Sequence, residues 1–219
     1  LVLGNPPWIK VEWNPESLLS DFDARFAIRS LGPNETADQR DAVFKAEALA
    51  RRDYLHECVS TEGLTAFLNA SQNYPLLKGV QSNLFKCFLP QAWRVGCGVQ
   101  ALLHPEGPYE DPNGGALRQA MYVRLRGHYQ FQNERKLFRE IGNRIKYSIN
   151  VYGSERVAPH FRNIANIFTP STVADSLQHP GGGVVPGIKR DDGMWDVAGH
   201  ASRVIEVDEA ALAIFARLY

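Results

Sequence analysis

The chain has 219 residues, of which 44% are hydrophobic and 22% charged, as in ordinary folded proteins. Lys and Arg together number 24, as do Asp and Glu, so net charge gives no indication of a nucleic-acid partner. The three cysteines form no CxxC pair, which argues against a disulfide framework and predicts reduced thiols in a cytoplasmic protein. No apolar run is long enough to cross a bilayer, and no signal peptide is evident, so no membrane partner is expected.

The first strand-like segment, LVLG, must end at Pro6 and Pro7, because proline cannot donate to a sheet ladder. Helical patterns then dominate as far as residue 73. We predict a helix in PESLLSDFDARFAIRS, a break at LGPNE, a long helix from Thr36 in TADQRDAVFKAEALARRDYLHECVS, and a shorter helix in TEGLTAFLNASQ.

The following segments alternate between helix and strand patterns. VQSNLFKCFLPQAWRV predicts a helix that Pro90 kinks or shortens, CGVQALLHPEG a strand, and GGALRQAMYVRLRG a helix. HYQFQ and KYSINVYG predict two strands, with a short helix or turn in NERKLFREIGN between them. This alternation favours a mostly parallel sheet with helices on its faces. Beyond residue 153 a loop rich in Gly and Pro leads to a last strand and helix.

The turn Asn5-Pro6-Pro7-Trp8 carries the most specific chemistry of the chain. The Asn5 side chain has a carbonyl acceptor, and the Pro6 carbonyl is released from the sheet ladder, so both oxygens can accept protons from one amine. The prolines hold the turn rigid, and Trp8 can stack on a planar base. An amine conjugated to a purine is a poor nucleophile, so catalysis would consist of positioning it. The alternative is an ordinary turn at the end of a strand.

The turn resembles the Asp/Asn/Ser-Pro-Pro-aromatic motif of the amino-group DNA methyltransferases that use S-adenosyl-L-methionine, and Asn5, Pro6, Pro7 and Trp8 match it residue by residue. The chain is similar in particular to the large adenine-modifying enzymes of restriction–modification and phage-defence systems. The helices and strands that follow the catalytic turn in those enzymes have counterparts here in the same order, over roughly residues 1–153: SNLFKCFLPQAW, GVQALLHPEG, GGALRQAMY and HYQFQN.

The resemblance implies an α/β fold: the second half of a doubly wound, Rossmann-like methyltransferase sheet with a large helical insertion at about residues 15–95. One of the last two strands of residues 1–153 would be the reversed strand of such sheets. Residues 154–219 would lead toward a target-recognition region. The cofactor-binding glycine motif of the family precedes the catalytic turn. We therefore expect the 219 residues to be part of a longer enzyme and to be inactive alone.

The resemblance also implies roles for the residues of the turn. Asn5 and Pro6 would accept hydrogen bonds from adenine N6, Pro7 would stiffen the turn, and Trp8 would stack on the base flipped out of duplex DNA. Lys10 is the candidate for contact with substrate, with a solvated strand edge as the alternative. The expected partners are double-stranded DNA and the rest of the same polypeptide or restriction-system subunits.

Two other classes of function remain open from the sequence. Enzymes that methylate glutamine amides in proteins use a similar turn, and a non-catalytic scaffold in a defence complex could retain the turn as a vestige. His104-Pro105-Glu106 resembles the His-x-Glu of zinc deaminases, but the Pro-Cys-x-x-Cys partner is missing, so no metal is expected. Four further histidines show no ligand spacing and are expected at the surface or at helix caps: His128, His160, His179 and His200.

Overall fold

A computed structural model describes residues 1–81 and 83–218. The chain divides into two compact units. The first consists of Leu1–Ile9 together with the chain from Leu76 onward, and the second of Lys10–Pro75. No helix in the described ranges is both long enough and apolar enough to span a membrane.

The first unit is built on a six-stranded mixed sheet, which confirms the predicted α/β class. Its spatial order is β1-β2-β4-β3-β5-β6. The strands are β1 Val2–Gly4, β2 Gln100–Pro105, β3 Leu125–Gln132, β4 Lys146–Tyr152, β5 His160–Ile167 and β6 Ile205–Asp208. Strands β5 and β6 show that the residues after 153 extend the same sheet rather than leaving it.

The predicted reversed strand is β4, which lies between β2 and β3 and runs antiparallel to both. Strands β1 and β2 pair in parallel, as do β3 and β5, whereas β6 pairs antiparallel with β5. The expectation of a mostly parallel sheet is therefore corrected: most pairings are antiparallel, although four strands run in one direction. The carboxyl ends of β1, β2, β3 and β5 consequently meet at one edge, where open α/β sheets bind their ligands.

Both faces of the sheet are covered. Helices α5 Leu84–Val95, α6 Gly107–Glu110 and α7 Gly115–Tyr122 lie on the connections into β2 and β3. The ring of Phe85 on α5 stacks on His104 at 5.4 Å, and that of Tyr122 on α7 stacks on Phe161 at 5.9 Å. The opposite face carries a buried cluster formed by Phe131, Tyr147, Ile164 and Ile167, against which Val173 of α8 Ser171–Gln178 packs. The last helix is α9 Glu209–Leu218.

The second unit is a set of four helices: α1 Pro15–Leu19, α2 Arg25–Ile28, α3 Pro33–Ala46 and α4 Ala48–Asn69. Its core consists of Leu19, Phe26, Val43 and Ala50. The expected helical insertion at 15–95 is longer than this unit, because α5 belongs to the sheet unit.

Four predicted helix boundaries were wrong. The first predicted helix is two short ones, because the Asp23 carboxylate accepts the Arg25 amide proton and starts a new helix. Helix α3 begins at Pro33 instead of Thr36, since proline suits the first turn and the Glu35 carboxylate accepts the Gly32 amide proton at 3.0 Å. The chain is extended at Glu47, and α4 then continues through Gly63, which joins two predicted helices.

The sheet unit also corrects two local predictions. Helix α5 is not cut short at Pro90 but continues to Val95. Strand β3 begins at Leu125, because α7 ends at Tyr122. The segment after β3, predicted as a short helix or turn, forms one turn of 3-10 helix, Asn133–Arg135, before an irregular loop.

Candidate functional site

The turn predicted as catalytic leaves the sheet at its carboxyl edge, directly after β1. Gly4 permits close packing of β1 on β2, since a Cβ atom there would lie 3.0 Å from the Leu102 side chain. The far end of the turn is fixed by the Leu84 amide at the start of α5, which donates to the Ile9 carbonyl at 2.9 Å. The tetrapeptide is therefore held at both ends.

The acceptor groups of Asn5 and Pro6 are not used by the described part of the chain. The Asn5 residue is exposed, and its side-chain amide makes no hydrogen bond to any described residue. Pro6 is buried, yet within the same ranges its carbonyl oxygen accepts no hydrogen bond. Both oxygens thus keep their hydrogen-bond acceptor capacity.

Trp8 is half-buried and held by contacts on several sides. Its indole N–H donates to the Leu103 carbonyl of β2 at 3.4 Å. Its ring lies 5.3 Å from that of Phe138 and 5.9 Å from that of Tyr147, both in tilted contact. The orientation of the indole is consequently set by the sheet and by the loop after β3.

A cavity of about 430 Å³ opens against the turn, lined by residues 5–8 and by the loop at residues 137–141. This second wall was not predicted from the sequence. The loop brings the Phe138 ring and two opposite charges, those of Arg139 and Glu140, to the cavity. The volume is in the range of small-molecule sites and suits a single base.

The wall is positioned by Asn133, whose side chain is fully buried. Its amide donates to the Phe138 carbonyl at 2.7 Å and to the Ile141 carbonyl at 3.1 Å, and its carbonyl accepts the Phe138 amide proton at 3.1 Å. Lys136 turns the chain in the left-handed region, with φ of 50°. Asn133 therefore ties the loop into one conformation beside the turn.

The geometry limits how a base could enter this cavity. A planar group inserted between two rings needs a separation of about 7 Å, twice the usual carbon–carbon contact distance. The rings of Trp8 and Phe138 are in direct contact at 5.3 Å. A base must therefore stack on one ring and meet the other along its edge, unless Phe138 moves aside.

A second, apolar cavity of about 460 Å³ shares Asn5, Pro6 and Pro7 with the first. Its remaining lining comes from β1, β2 and α5, with Val2, Phe88 and Val95 as the large exposed apolar side chains. Two cavities thus border one turn, an arrangement that suits two reactants meeting there.

Of the five residues predicted for the site, residues 5–8 gather at the first cavity. Lys10 belongs to the helical unit, where its ammonium group forms an ion pair with the Glu12 carboxylate. In the described residues, no group of three or more His, Cys, Asp or Glu side chains is placed to hold a metal ion.

A buried polar network lies behind the carboxyl edge of the sheet. The Glu106 carboxylate accepts from Gln130 at 2.8 Å and lies 3.1 Å from His128 Nε2, and His128 Nδ1 lies 2.7 Å from the Asn163 amide oxygen. Burial alone would raise the pKa of the Glu106 carboxyl, but hydrogen bonds from His128, Ser148 and Gln130 lower it overall. His128 was expected at the surface or at a cap, but it is buried, with one partner, Asn163, on β5 and the other, Glu106, directly after β2.

His104 is fully buried in the same region. Burial disfavours its charged form and lowers its pKa from 6.5 to about 4, although the Pro105 carbonyl at 2.8 Å opposes this shift. His104 Nε2 lies 3.2 Å from the Tyr152 hydroxyl. His104 is thus a neutral core residue at physiological pH.

Comparison with known proteins gives limited similarity. No protein-family model matches the chain, and no curated protein matches it. Among solved structures, the type IIG restriction endonuclease BpuSI is similar at 14% identity and a TM-score of 0.38 over 77% of this chain. The methyltransferase subunit of a type I restriction-modification system from Streptococcus thermophilus is similar at 18% identity and a TM-score of 0.33 over 80% of it. The matches span 18% and 30% of the lengths of those two proteins.

Proposed function

We propose that this chain forms the target-base side of the catalytic centre of an S-adenosyl-L-methionine-dependent DNA methyltransferase that modifies adenine N6. The observation that carries the proposal is the pair of unused acceptors, Asn5 Oδ1 and the Pro6 carbonyl, on a rigid turn beside a base-sized cavity. Their position at the carboxyl edge of the sheet is where such folds bind ligands.

In this mechanism Asn5 and Pro6 each accept one proton of the adenine N6 amine. Holding both protons fixes the direction of the nitrogen lone pair and favours the tetrahedral geometry that the nitrogen acquires as it forms a new bond. One amine proton then leaves to water, so the product carries one methyl group and one proton on N6. The turn supplies positioning and electrostatic stabilisation, without a general base.

Trp8 and Phe138 provide the apolar surface that receives the base. Adenine in a duplex must first leave its stack, at a cost of a few kcal/mol. Stacking of the base on an aromatic ring contributes about 1–3 kcal/mol to the binding free energy, which offsets much of that cost. Because the indole N–H is tied to Leu103, the Trp8 ring does not have to be ordered on binding.

The second cavity fits part of the methyl donor. Phe88, Val95 and Leu102 would contact an apolar portion of the cofactor, while Asn5 and Pro6 border both cavities. S-adenosyl-L-methionine, when bound, would supply an electrophilic methyl group, and its sulfur would keep the electron pair of the broken carbon–sulfur bond as a neutral thioether. The lining offers no charged partner for the amino-acid part of the cofactor, so we propose that the segment binding that part lies outside these residues.

The proposal is tested by methyl transfer in a polypeptide that carries these residues with a cofactor-binding segment. With duplex DNA and a labelled methyl donor, Asn5→Ala should lower the rate about 100-fold or more, as for loss of one preorganised hydrogen-bonding group. Asn5→Asp keeps an acceptor oxygen and should retain much more activity. Asn143 is exposed and lies two residues after the loop at residues 137–141, so Asn143→Ala should methylate DNA at the wild-type rate.

Two results would contradict the proposal. One is an Asn5→Ala variant that methylates DNA adenine at the normal rate. The other is transfer to a glutamine-containing peptide in place of DNA, because the same acceptors could hold a side-chain amide.

A further inference from the structure

A basic cleft lies near the amino end of β3, away from the loop that follows its carboxyl end. It encloses about 360 Å³, and its lining includes Arg126, Arg156 and Arg162 together with His160 and Glu206. Gly127 in the cleft and Gln132, the last residue of β3 before the loop at the first cavity, are separated by roughly 17 Å along the strand, at 3.3–3.4 Å per residue. The cleft is therefore a separate feature from the cavity beside the Asn5 turn.

The described residues neutralise only part of the positive charge of the cleft. Glu206 is the single carboxylate in the lining, and it accepts from Arg162 Nε at 3.0 Å. The guanidinium groups of Arg126 and Arg156 bond only to main-chain carbonyls, so neither has a carboxylate partner in the described ranges. Three guanidinium groups face one carboxylate, which leaves two positive charges.

Within the described residues, the carboxylates of Glu155 and Asp208, which lie close by in the chain, are not bonded to an arginine of the cleft. Glu155 pairs with Arg124 at 2.5 Å, and the Asp208 carboxylate accepts the Ala211 amide proton at the start of α9. Burial, together with the charge of Arg156, lowers the pKa of Arg126. A ligand carrying negative charge would relieve this repulsion.

The cleft is also a built shape rather than a loose patch. Arg126 Nη1 donates to the carbonyls of Arg124 at 3.0 Å and Leu125 at 2.9 Å, which fixes one guanidinium. Arg156 Nη1 donates to the His160 carbonyl at 2.9 Å, which orients the second. A Cβ atom at Gly127 would lie 2.8 Å from the Tyr129 hydroxyl, so only glycine lets that ring lie across the strand beside the cleft.

The geometry points to a phosphate-binding site in this cleft, independent of the proposed methyl transfer. Planar guanidinium groups with free N–H donors match phosphate oxygens in geometry and charge. Both a nucleic-acid backbone and a free nucleotide carry such a group. Comparing a DNA duplex with AMP and inorganic phosphate distinguishes these two sources.

Binding to the 219-residue chain is measured with a fluorescein-labelled DNA duplex by anisotropy across a series of salt concentrations, and with AMP and inorganic phosphate by NMR. Arg156→Gln should weaken binding about tenfold and reduce the salt slope by about 1. Glu206→Gln removes the competing carboxylate and should tighten binding severalfold. The control is Arg51→Gln, which removes one exposed charge from α4 and should change nothing. Circular dichroism verifies that each variant is folded.

Each outcome decides the inference. Weaker duplex binding by Arg156→Gln and tighter binding by Glu206→Gln support the site and identify nucleic acid as its ligand. The same pattern with AMP and phosphate, but not with duplex, supports it with a free nucleotide as the source. If Arg156→Gln matches Arg51→Gln for every probe, or Glu206→Gln binds no more tightly, the inference is overturned.

Discussion

Asn133 offers the sharpest structural prediction, because one side chain holds the cavity wall. It is fully buried and makes main-chain hydrogen bonds of 2.7, 3.1 and 3.1 Å to Phe138 and Ile141. At about 1 kcal/mol each, these bonds predict that Asn133→Ala lowers the free energy of unfolding by about 3 kcal/mol. For a chain of this size that corresponds to a drop in Tm of about 6–12 °C.

The assay combines calorimetry with hydrogen exchange. Calorimetry gives the change in Tm, and exchange of the Phe138 amide, which donates to Asn133 Oδ1, reports the loop itself. Asn143→Ala is the matched control, since Asn143 is exposed and makes one long bond of 3.4 Å to Glu134. An Asn133→Ala protein that melts with the wild type, or whose Phe138 amide exchanges no faster, would refute this role.

Three further predictions concern the core of the sheet unit. The pKa of His104 falls from 6.5 to about 4 on folding, so the unfolded chain binds the proton first as the pH falls. The contribution of His104 to the free energy of unfolding should therefore be constant above about pH 6.5 and fall by about 3 kcal/mol toward pH 4. Urea titrations should show this slope, and His104→Gln should reduce it; an unchanged slope would exclude His104 as the cause. Lys86 Nζ and Asp111 Oδ2 form an ion pair at 3.0 Å, with both side chains largely buried. Asp111→Ala should lower the free energy of unfolding by about 3 kcal/mol, because it leaves the Lys86 charge without a partner, and adding Lys86→Met should restore most of that loss. An equal loss in the single and the double variant would contradict this. Cys97 is exposed, whereas Cys87 is buried and burial raises the pKa of its thiol. A thiol reagent should therefore modify Cys97 rapidly and Cys87 only after unfolding. Rapid modification of Cys87 in the folded Cys97→Ser variant would disprove this.

Local sequence rules predicted the features that depend on few residues. Proline cannot continue a ladder, so the end of β1 at Gly4 followed from Pro6 and Pro7 alone. The alternation in KYSINVY predicted a strand at β4, and the family resemblance predicted that one of the last two strands would be reversed. These statements required no knowledge of distant contacts.

The features missed by the sequence analysis depend on contacts between distant parts of the chain. Phe138 and Asn133 follow a strand in a segment without strong periodicity, and about 130 residues separate Phe138 from Trp8, which it contacts. The burial of His128 is set by Glu106 and Asn163 on neighbouring segments. The one local signal is an Asn directly after a strand, with Leu137 and Phe138 four and five residues further on, which is compatible with an anchored loop.

The central claim is that Asn5 and Pro6 hold the exocyclic amine of an adenine, and a comparison of two bases tests it most directly. In the full polypeptide, affinity is measured for duplexes carrying either adenine or purine, which lacks the amine, at the methylated position. The wild type should prefer adenine about tenfold, as expected for hydrogen bonds left unpaired by purine, and Asn5→Ala should lose most of that preference. Equal preference in the wild type and in Asn5→Ala would contradict the account.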